Sequence, residues 1–313
     1  MNLPADAGLI KNTNGGFKTM KKLMFSLFAA MMLIGVQAIA QDATNEKPIW
    51  RPSVDISMSY SSRYISDGWV INPDRMLFGD INLTWDFNEF GGIYIGTWVA
   101  NDWNDYNRDS RIDYEPEEWD YWIGYYYTLN DVPFVNSLTF DLSYTYWDYP
   151  KRTHWPARGE TERKVALDIS TGDFAITEDF TWHPGFFVGW DHENDEWQAK
   201  LYVKSSYKIS DKLSFNNGLD LFWNNGRWRC GGYDGVNHLK RAGLLDSYKN
   251  GFSTLVWSAD LSYAINDYIS FGPFAKLAWV LDHDYREVWK SESSPNHKSG
   301  MNNLWGVQLS ISF

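Results

Sequence analysis

Between residues 76 and 87 the chain reads "MLFGDINLTWDF": Leu77, Ile81, Leu83, Trp85 and Phe87 alternate with Phe78, Asp80, Asn82, Thr84 and Asp86. Alternation with period two is the pattern of a strand with one apolar and one polar face. Twelve segments read this way, near 53–65, 76–87, 92–101, 117–129, 137–148, 162–172, 180–191, 196–209, 213–224, 252–265, 268–282 and 303–313. In the fifth, Leu138, Phe140, Leu142, Tyr144 and Tyr146 oppose Thr139, Asp141, Ser143 and Thr145; in the eighth, Trp197, Ala199, Leu201, Val203, Tyr207 and Ile209 oppose Gln198, Lys200, Lys204, Ser206 and Lys208. The seventh is interrupted by Pro184, which cannot donate to a ladder. So many one-sided strands must hide their apolar faces, either against each other in a sandwich or jelly roll, or against lipid in a barrel.

Composition and spacing favour the barrel. Aromatic residues make up 18% of the chain, with 18 Trp and 19 Tyr, yet the mean hydropathy is −0.44. Beyond residue 41 no run approaches the ~20 apolar residues of a membrane helix. A barrel that faces lipid with every second residue gives that combination. Phe215 and Trp223, Phe271 and Trp279, and Trp305 and Phe313 each stand eight residues apart on the outward phase. At ~3.3 Å per residue and a tilt of about 40°, this is roughly 20 Å of height, near the ~25 Å band between two aromatic girdles. A sandwich needs no such two heights. The connections also alternate: "NEFG", "NDVPFVN", "SDK" and "ND" are short turns, whereas 66–75, 102–116, 149–161, 225–251 and 283–302 are long and polar. Short turns at one rim and long loops at the other describe an all-β, transmembrane, antiparallel up-and-down barrel of about twelve strands.

The first forty residues point to export. "MKKLMFSLFAAMMLIGVQAIAQ", from Met20, has the basic start, apolar run and small-x-small cleavage site of a secretory signal. We expect residues 1–19 to be a spurious extension, 20–40 the signal peptide and 41–313 one barrel domain. Removing 1–40 takes the balance from 28 basic and 40 acidic residues to 24 and 39, so nucleic acid is not an expected partner. The lone Cys230 excludes an internal disulfide.

The closing stretch "NNLWGVQLSISF" sets Trp305, Val307, Leu309, Ile311 and Phe313 against Gly306, Gln308, Ser310 and Ser312. It resembles the C-terminal signal of bacterial outer-membrane barrels, whose last aromatic residue is read by the barrel assembly machinery. The mature segment as a whole is similar to small porins of that class. "DISMSYSSRYISDGW" (55–69) further resembles the opening strand of TorF-like porins at Ser62, Tyr64, Ile65 and Gly68, with Asp67 standing where arginine is usual. The resemblance implies an outer-membrane location, a passive channel, and the assembly machinery, outer-membrane lipids, lipopolysaccharide and small solutes as partners. It implies no cofactor.

By phase, the lumen receives Asp55, Asp80, Asp120, Asp141, Asp168, Asp220, Asp260, Lys164, Lys200, Lys204 and Lys276 as pore-lining candidates. Paired charges often fill small barrels structurally; an excess of carboxylates otherwise favours cations. Inward Phe78, Trp98, Trp122, Tyr126, Phe222 and Phe274 would narrow the passage. "WDHENDEW" and "LDHDYREVW" place Asp191–His192 and Asp282–His283 at strand tops, where metal binding would need a bend because neighbours point to opposite faces; no metal is expected. "NDWNDYNRDSRIDYEPEE" (101–118) lacks the spacing of a calcium loop, which leaves it a solvated loop with contact to lipopolysaccharide-bridging cations as the alternative. An outer-membrane lipase or protease is the enzymatic alternative, yet no outward Ser stands beside an outward His, and His183 falls inward. A structural or adhesive barrel acting through loop 225–251 is the other alternative; that loop could instead fold inward. The terminal resemblance makes a prediction. Deleting Phe313 should lower the yield of membrane-inserted, heat-modifiable barrel far more than it changes the conductance of molecules that do insert.

Overall fold

The computed structural model describes residues 51–67, 69–72, 75–102, 118–149, 161–192, 195–225, 250–282 and 301–313. Residues 1–40, where an extension and a signal peptide are expected, Cys230, His283 and nearly all of loops 101–118 and 225–251 lie outside the described residues. Twelve long strands form the wall: β1 (Ser53–Ser61), β2 (Met76–Asp86), β3 (Gly92–Asp102), β4 (Glu118–Asn130), β5 (Ser137–Asp148), β6 (Thr161–Thr171), β7 (Phe180–Asp191), β8 (Glu196–Ser210), β9 (Leu213–Asn224), β10 (Gly251–Ala264), β11 (Ile269–Val280) and β12 (Met301–Ser312). Each pairs antiparallel with the next, and β12 pairs back onto β1, from Asp55↔Ser312 to Ser61↔Gly306. The ring therefore has no edge. Lipid offers no hydrogen bonds to backbone, and closure satisfies both sides of every strand.

Residues directly opposite in a ladder share a face, so the register carries one inward set around the ring. Asp80 stands opposite Ser57 and Trp98, Trp98 opposite Asp120, and Asp120 opposite Trp147. The other phase is apolar and exposed: Ile123 is 52% exposed, Leu201 53% and Trp305 61%. Trp119 stacks on Tyr121 at 5.8 Å, and Trp190 on Trp197 at 5.9 Å, on this outer face. A closed antiparallel ring with an apolar, aromatic exterior is an outer-membrane β-barrel.

Two departures from the alternating pattern have physical causes. Pro184 does not break β7. Its missing N–H falls where the β6 ladder has lapsed beyond Gly185↔Ser170 and before Phe180–Trp182 pair with a short strand, Phe174–Thr177. That short strand accounts for the longer turn expected at 173–179. The first strand is four residues shorter than expected and stops at Ser61. There the Ser61 hydroxyl donates to the Arg63 carbonyl at 2.6 Å, turning the chain off the wall. The seam stays paired as it leaves: Ser62 N–H donates to Trp305 O at 2.8 Å, and Ser62 Oγ accepts from Trp305 N–H at 3.1 Å.

Ile123 lies near the middle of lipid-facing β4. Ile123→Lys should cost about 2–4 kcal/mol, the penalty for a lysine at the bilayer midplane, measured by reversible denaturant unfolding in lipid vesicles.

Candidate functional site: a strapped lumen

After Ser62 the chain folds into the barrel as a small hairpin, Tyr64–Ser66 paired with Trp69–Asn72. Ser66 pairs with Trp69, and Asp67, at a φ of 48°, leaves the first strand of the hairpin. Tyr64 packs against Phe78 of β2 and Trp98 of β3, with ring centroids 5.4 and 5.6 Å away. Phe78 and Trp98 are themselves stacked at 5.3 Å. Ile65 joins a buried cluster of Phe222, Val256, Ala278 and Leu304, from β9 to β12, with Phe274 packed against it. Asp67 reaches β8 and β10: Gln198 Nε2 donates to its Oδ2 at 2.6 Å, and Thr254 Oγ1 donates to its carbonyl at 2.6 Å. Gln198 Oε1 in turn accepts from Lys164 Nζ at 2.9 Å. Residues 64–67 thus bridge the lumen between opposite walls. Their anchors lie close to the outer ends of β2, β8 and β10, so the strap crosses the long-loop end.

Carboxylates inside the barrel are held by neutral donors. Tyr94 on β3 passes over Gly124 of β4 and donates to Asp141 Oδ1 of β5 at 2.6 Å. Tyr202 on β8 passes over Gly185 of β7 and donates to Asp168 Oδ1 of β6 at 2.6 Å. In both cases a Cβ on the glycine would collide with the ring, so the tyrosine spans two strand spacings only because the strand between has no side chain there. Ser57 donates to Asp80, Asn216 to Asp260 at 2.8 Å, and Trp122 to Asn82 at 3.1 Å. Lys200 lies 5.6 Å from the Phe187 ring, 5.0 Å from Tyr202 and 5.6 Å from Phe222; Lys204 lies 5.1 Å from Tyr202. Asp220 lies among Lys200, Lys204 and Lys276, and Asp67 of the strap is a second carboxylate near Lys276.

All eleven charged lining candidates of the sequence stand on the inward phase, Lys164 bonded to Gln198 as above and the other ten in two settings. Asp80, Asp141, Asp168, Asp260 and the Asp220–lysine group belong to the bonded belt. Asp55 is exposed at the inner rim, and Asp120 is buried near the outer end of β4 beside Glu118. Trp305, Val307, Leu309 and Ile311 occupy the outer face of β12, and Phe313 follows that strand. Asp191 points inward and is buried, whereas His192 is exposed and meets Trp190 edge-on at 5.9 Å. Among the described residues no three His, Cys, Asp or Glu side chains gather as a metal site. His183 points inward, and its Nδ1 is 3.4 Å from Asp173 Oδ1.

The strap is the part that sequence reading missed. Its signals are present in "YSSRYISDGW": a serine pair, adjacent Tyr64 and Ile65 that break the alternation, and Asp-Gly, a two-residue hairpin turn. Three of the residues resembling TorF-like porins, Ser62, Tyr64 and Ile65, therefore lie off the wall and not in an opening strand; Gly68 is outside the described residues.

No protein-family model matches the chain, and no curated protein matches its sequence. Solved structures similar to it include an outer-membrane channel from Pseudomonas putida F1, with 11% identity, 87% of this chain and 98% of that chain covered, and a TM-score of 0.47. The KdgM porin in complex with disordered oligogalacturonate shows 10% identity, 83% and 99% coverage and a TM-score of 0.41. The translocator domain of the autotransporter NalP from Neisseria meningitidis shows 10% identity, 93% and 98% coverage and a TM-score of 0.38. These proteins include channels and a translocator, and the similarity assigns neither task to this chain.

The strap's anchorage can be weakened without touching the wall. Ile65→Ala removes a buried aliphatic side chain, a change that costs about 2–5 kcal/mol in packed cores. Combined with Tyr64→Ala, it should leave heat-modifiable folding intact and raise single-channel conductance in a planar bilayer.

Proposed function

We propose that this chain is a porin-like outer-membrane channel for passive diffusion of small hydrophilic solutes or ions. The observation that carries the reading is the inner wall below the strap. Ser57, Ser59, Ser214, Asn216, Ser262, Ser270, Gln308 and Ser310 line it with small polar groups, and inward-pointing Asp55, Lys204 and Gln308 are exposed. Exposure of an inward side chain requires solvent in the lumen. Passage then depends on width and charge, and no residue is assigned covalent chemistry. The opening segment's resemblance to TorF-like porins agrees with this reading. On the same reading, outer-membrane lipid and lipopolysaccharide surround the aromatic wall, and the assembly machinery reads β12 with Phe313.

The buried strap favours one other reading, a structural or adhesive barrel with a sealed lumen. Planar-bilayer recording separates the two. A channel gives discrete conductance steps and, from its excess of inward carboxylates, a reversal potential in a salt gradient that indicates weak cation preference. A clear anion preference would contradict the charge argument. Silence from both the native chain and the Tyr64→Ala, Ile65→Ala variant would overturn the channel.

A further inference from the structure

The twelve-strand ring has no edge, but a piece of strand below it does. After Thr171 the first arm of the β6–β7 hairpin runs on past the start of β5, at the short-turn rim, which is periplasmic in outer-membrane barrels. Gly172 N–H still donates to Ser137 O at 2.9 Å, and Asn136 Nδ2 donates to Asp173 O at 3.0 Å. Beyond that point the short strand Phe174–Thr177 pairs with Phe180–Trp182 of β7 on one side. Among the described residues no strand pairs with it on the other. Ala175, Ile176 and Thr177 are exposed, and the shift of register between Phe180 and Thr181 leaves Ile176 without a ladder partner. Lysine or proline on an edge strand blocks stray pairing, and Phe174–Thr177 contains neither.

A second feature stands beside this edge, on the turn that Asn136 ties to Asp173. Val135 N–H donates to Val132 O at 3.1 Å, closing a turn with Pro133 second and Phe134 third. Phe134 has a φ of 70° and is 100% exposed. The third place of a proline turn with positive φ is one that glycine usually takes. An aromatic side chain is therefore held clear of the protein in a conformation that its Cβ disfavours, and the barrel draws no packing from it. Charge is one-sided here as well. The two linked turns expose Asp131, Asp173, Glu178 and Asp179, and neither 129–142 nor 171–187 contains a lysine or arginine. His183 is 3.4 Å from Asp173, and Lys208, on the far side of the hairpin, is held by Asp211 at 2.8 Å.

We propose that Phe174–Thr177 is a docking edge for an extended segment of a periplasmic protein in which basic residues alternate with apolar ones. The segment adds a strand to the hairpin, its backbone taking the open N–H and C=O groups of the edge. Apolar side chains meet Ile176 and Phe134, and basic ones meet Asp173, Glu178 and Asp179. A second copy of this chain does not fit the edge. Copies in one membrane are related by an axis along the membrane normal, so strands tilted about 40° would cross instead of pairing, and acid would face acid. The inference needs the outer-membrane barrel but not a conducting lumen, so it goes beyond the channel reading and does not fail with it.

Fluorescence anisotropy of a fluorescein-labelled Lys-Val-Lys-Val-Lys-Val peptide, titrated with the full chain in lipid nanodiscs open to both faces, tests this. The peptide should bind about tenfold more tightly than its Glu-Val counterpart. The same lysine peptide N-methylated at every backbone amide keeps its charge but cannot pair, and should bind about tenfold more weakly. Ile176→Pro should weaken binding by a similar factor, whereas Ile176→Val should leave it unchanged. Glu178→Lys with Asp179→Lys should turn the preference toward the Glu-Val peptide. Heat-modifiable migration reports folding of each variant, and the N-methylated peptide needs no variant at all. Equal binding of the N-methylated peptide, binding that survives both Ile176→Pro and the charge reversal, or no binding of the lysine peptide overturns the proposal. Conductance in a planar bilayer bears on the channel reading alone.

Discussion

Lipid cannot hydrogen-bond a peptide group, and each unpaired N–H or C=O left in it costs several kcal/mol. Everything else in this fold follows from meeting that demand with a ring. The seam between β1 and β12 is where the ring succeeds or fails, because it joins residues about 250 positions apart. It stays paired even at its outer end. Ser62 leaves the wall there and still supplies an amide to Trp305 O and a hydroxyl to the Trp305 amide. A residue without a side-chain acceptor at 62 would leave one backbone donor open at the edge of the membrane.

Closure turns one face of every strand inward, and the polar groups on that face must then be satisfied within the barrel. The long aromatic donors solve part of this problem. Tyr94 and Tyr202 each lie across a glycine to reach a carboxylate two strands away, so one ring both covers the wall and holds a charge. Carboxylates bonded to hydroxyls keep their charge, whereas carboxylates bonded to lysines would cancel. The first five strands use the former arrangement, and the lysines of β8 rest on aromatic rings.

Period two made most of the wall legible in the sequence. Segments 137–148, 180–191 and 213–224 coincide with β5, β7 and β9, and the inward phase of each charged residue follows from the same count. Pro184 was legible as a defect but not as a tolerated one, since tolerance depends on which neighbour its missing donor faces. Contacts of the strap were not legible. Asp67 meets Gln198 131 positions away and Thr254 187 positions away, and no local pattern encodes a partner so distant. The break in alternation at Tyr64–Ile65 was visible, but extending β1 through it hid its meaning. A broken period beside Asp-Gly marks the end of a wall strand.

The strap has a consequence for the order of events in assembly. Its anchors lie on β2, β3 and β8 to β12, so its complete set of contacts requires nearly the whole chain and a ring that is already closed. Loop-closure entropy delays such distant contacts relative to hairpins between successive strands. Until then Tyr64 and Ile65 remain uncovered next to the strand that makes the seam. Seating them after closure links a strand near the start of the barrel to strands near its end, and makes the filled lumen a sign that the circle is complete.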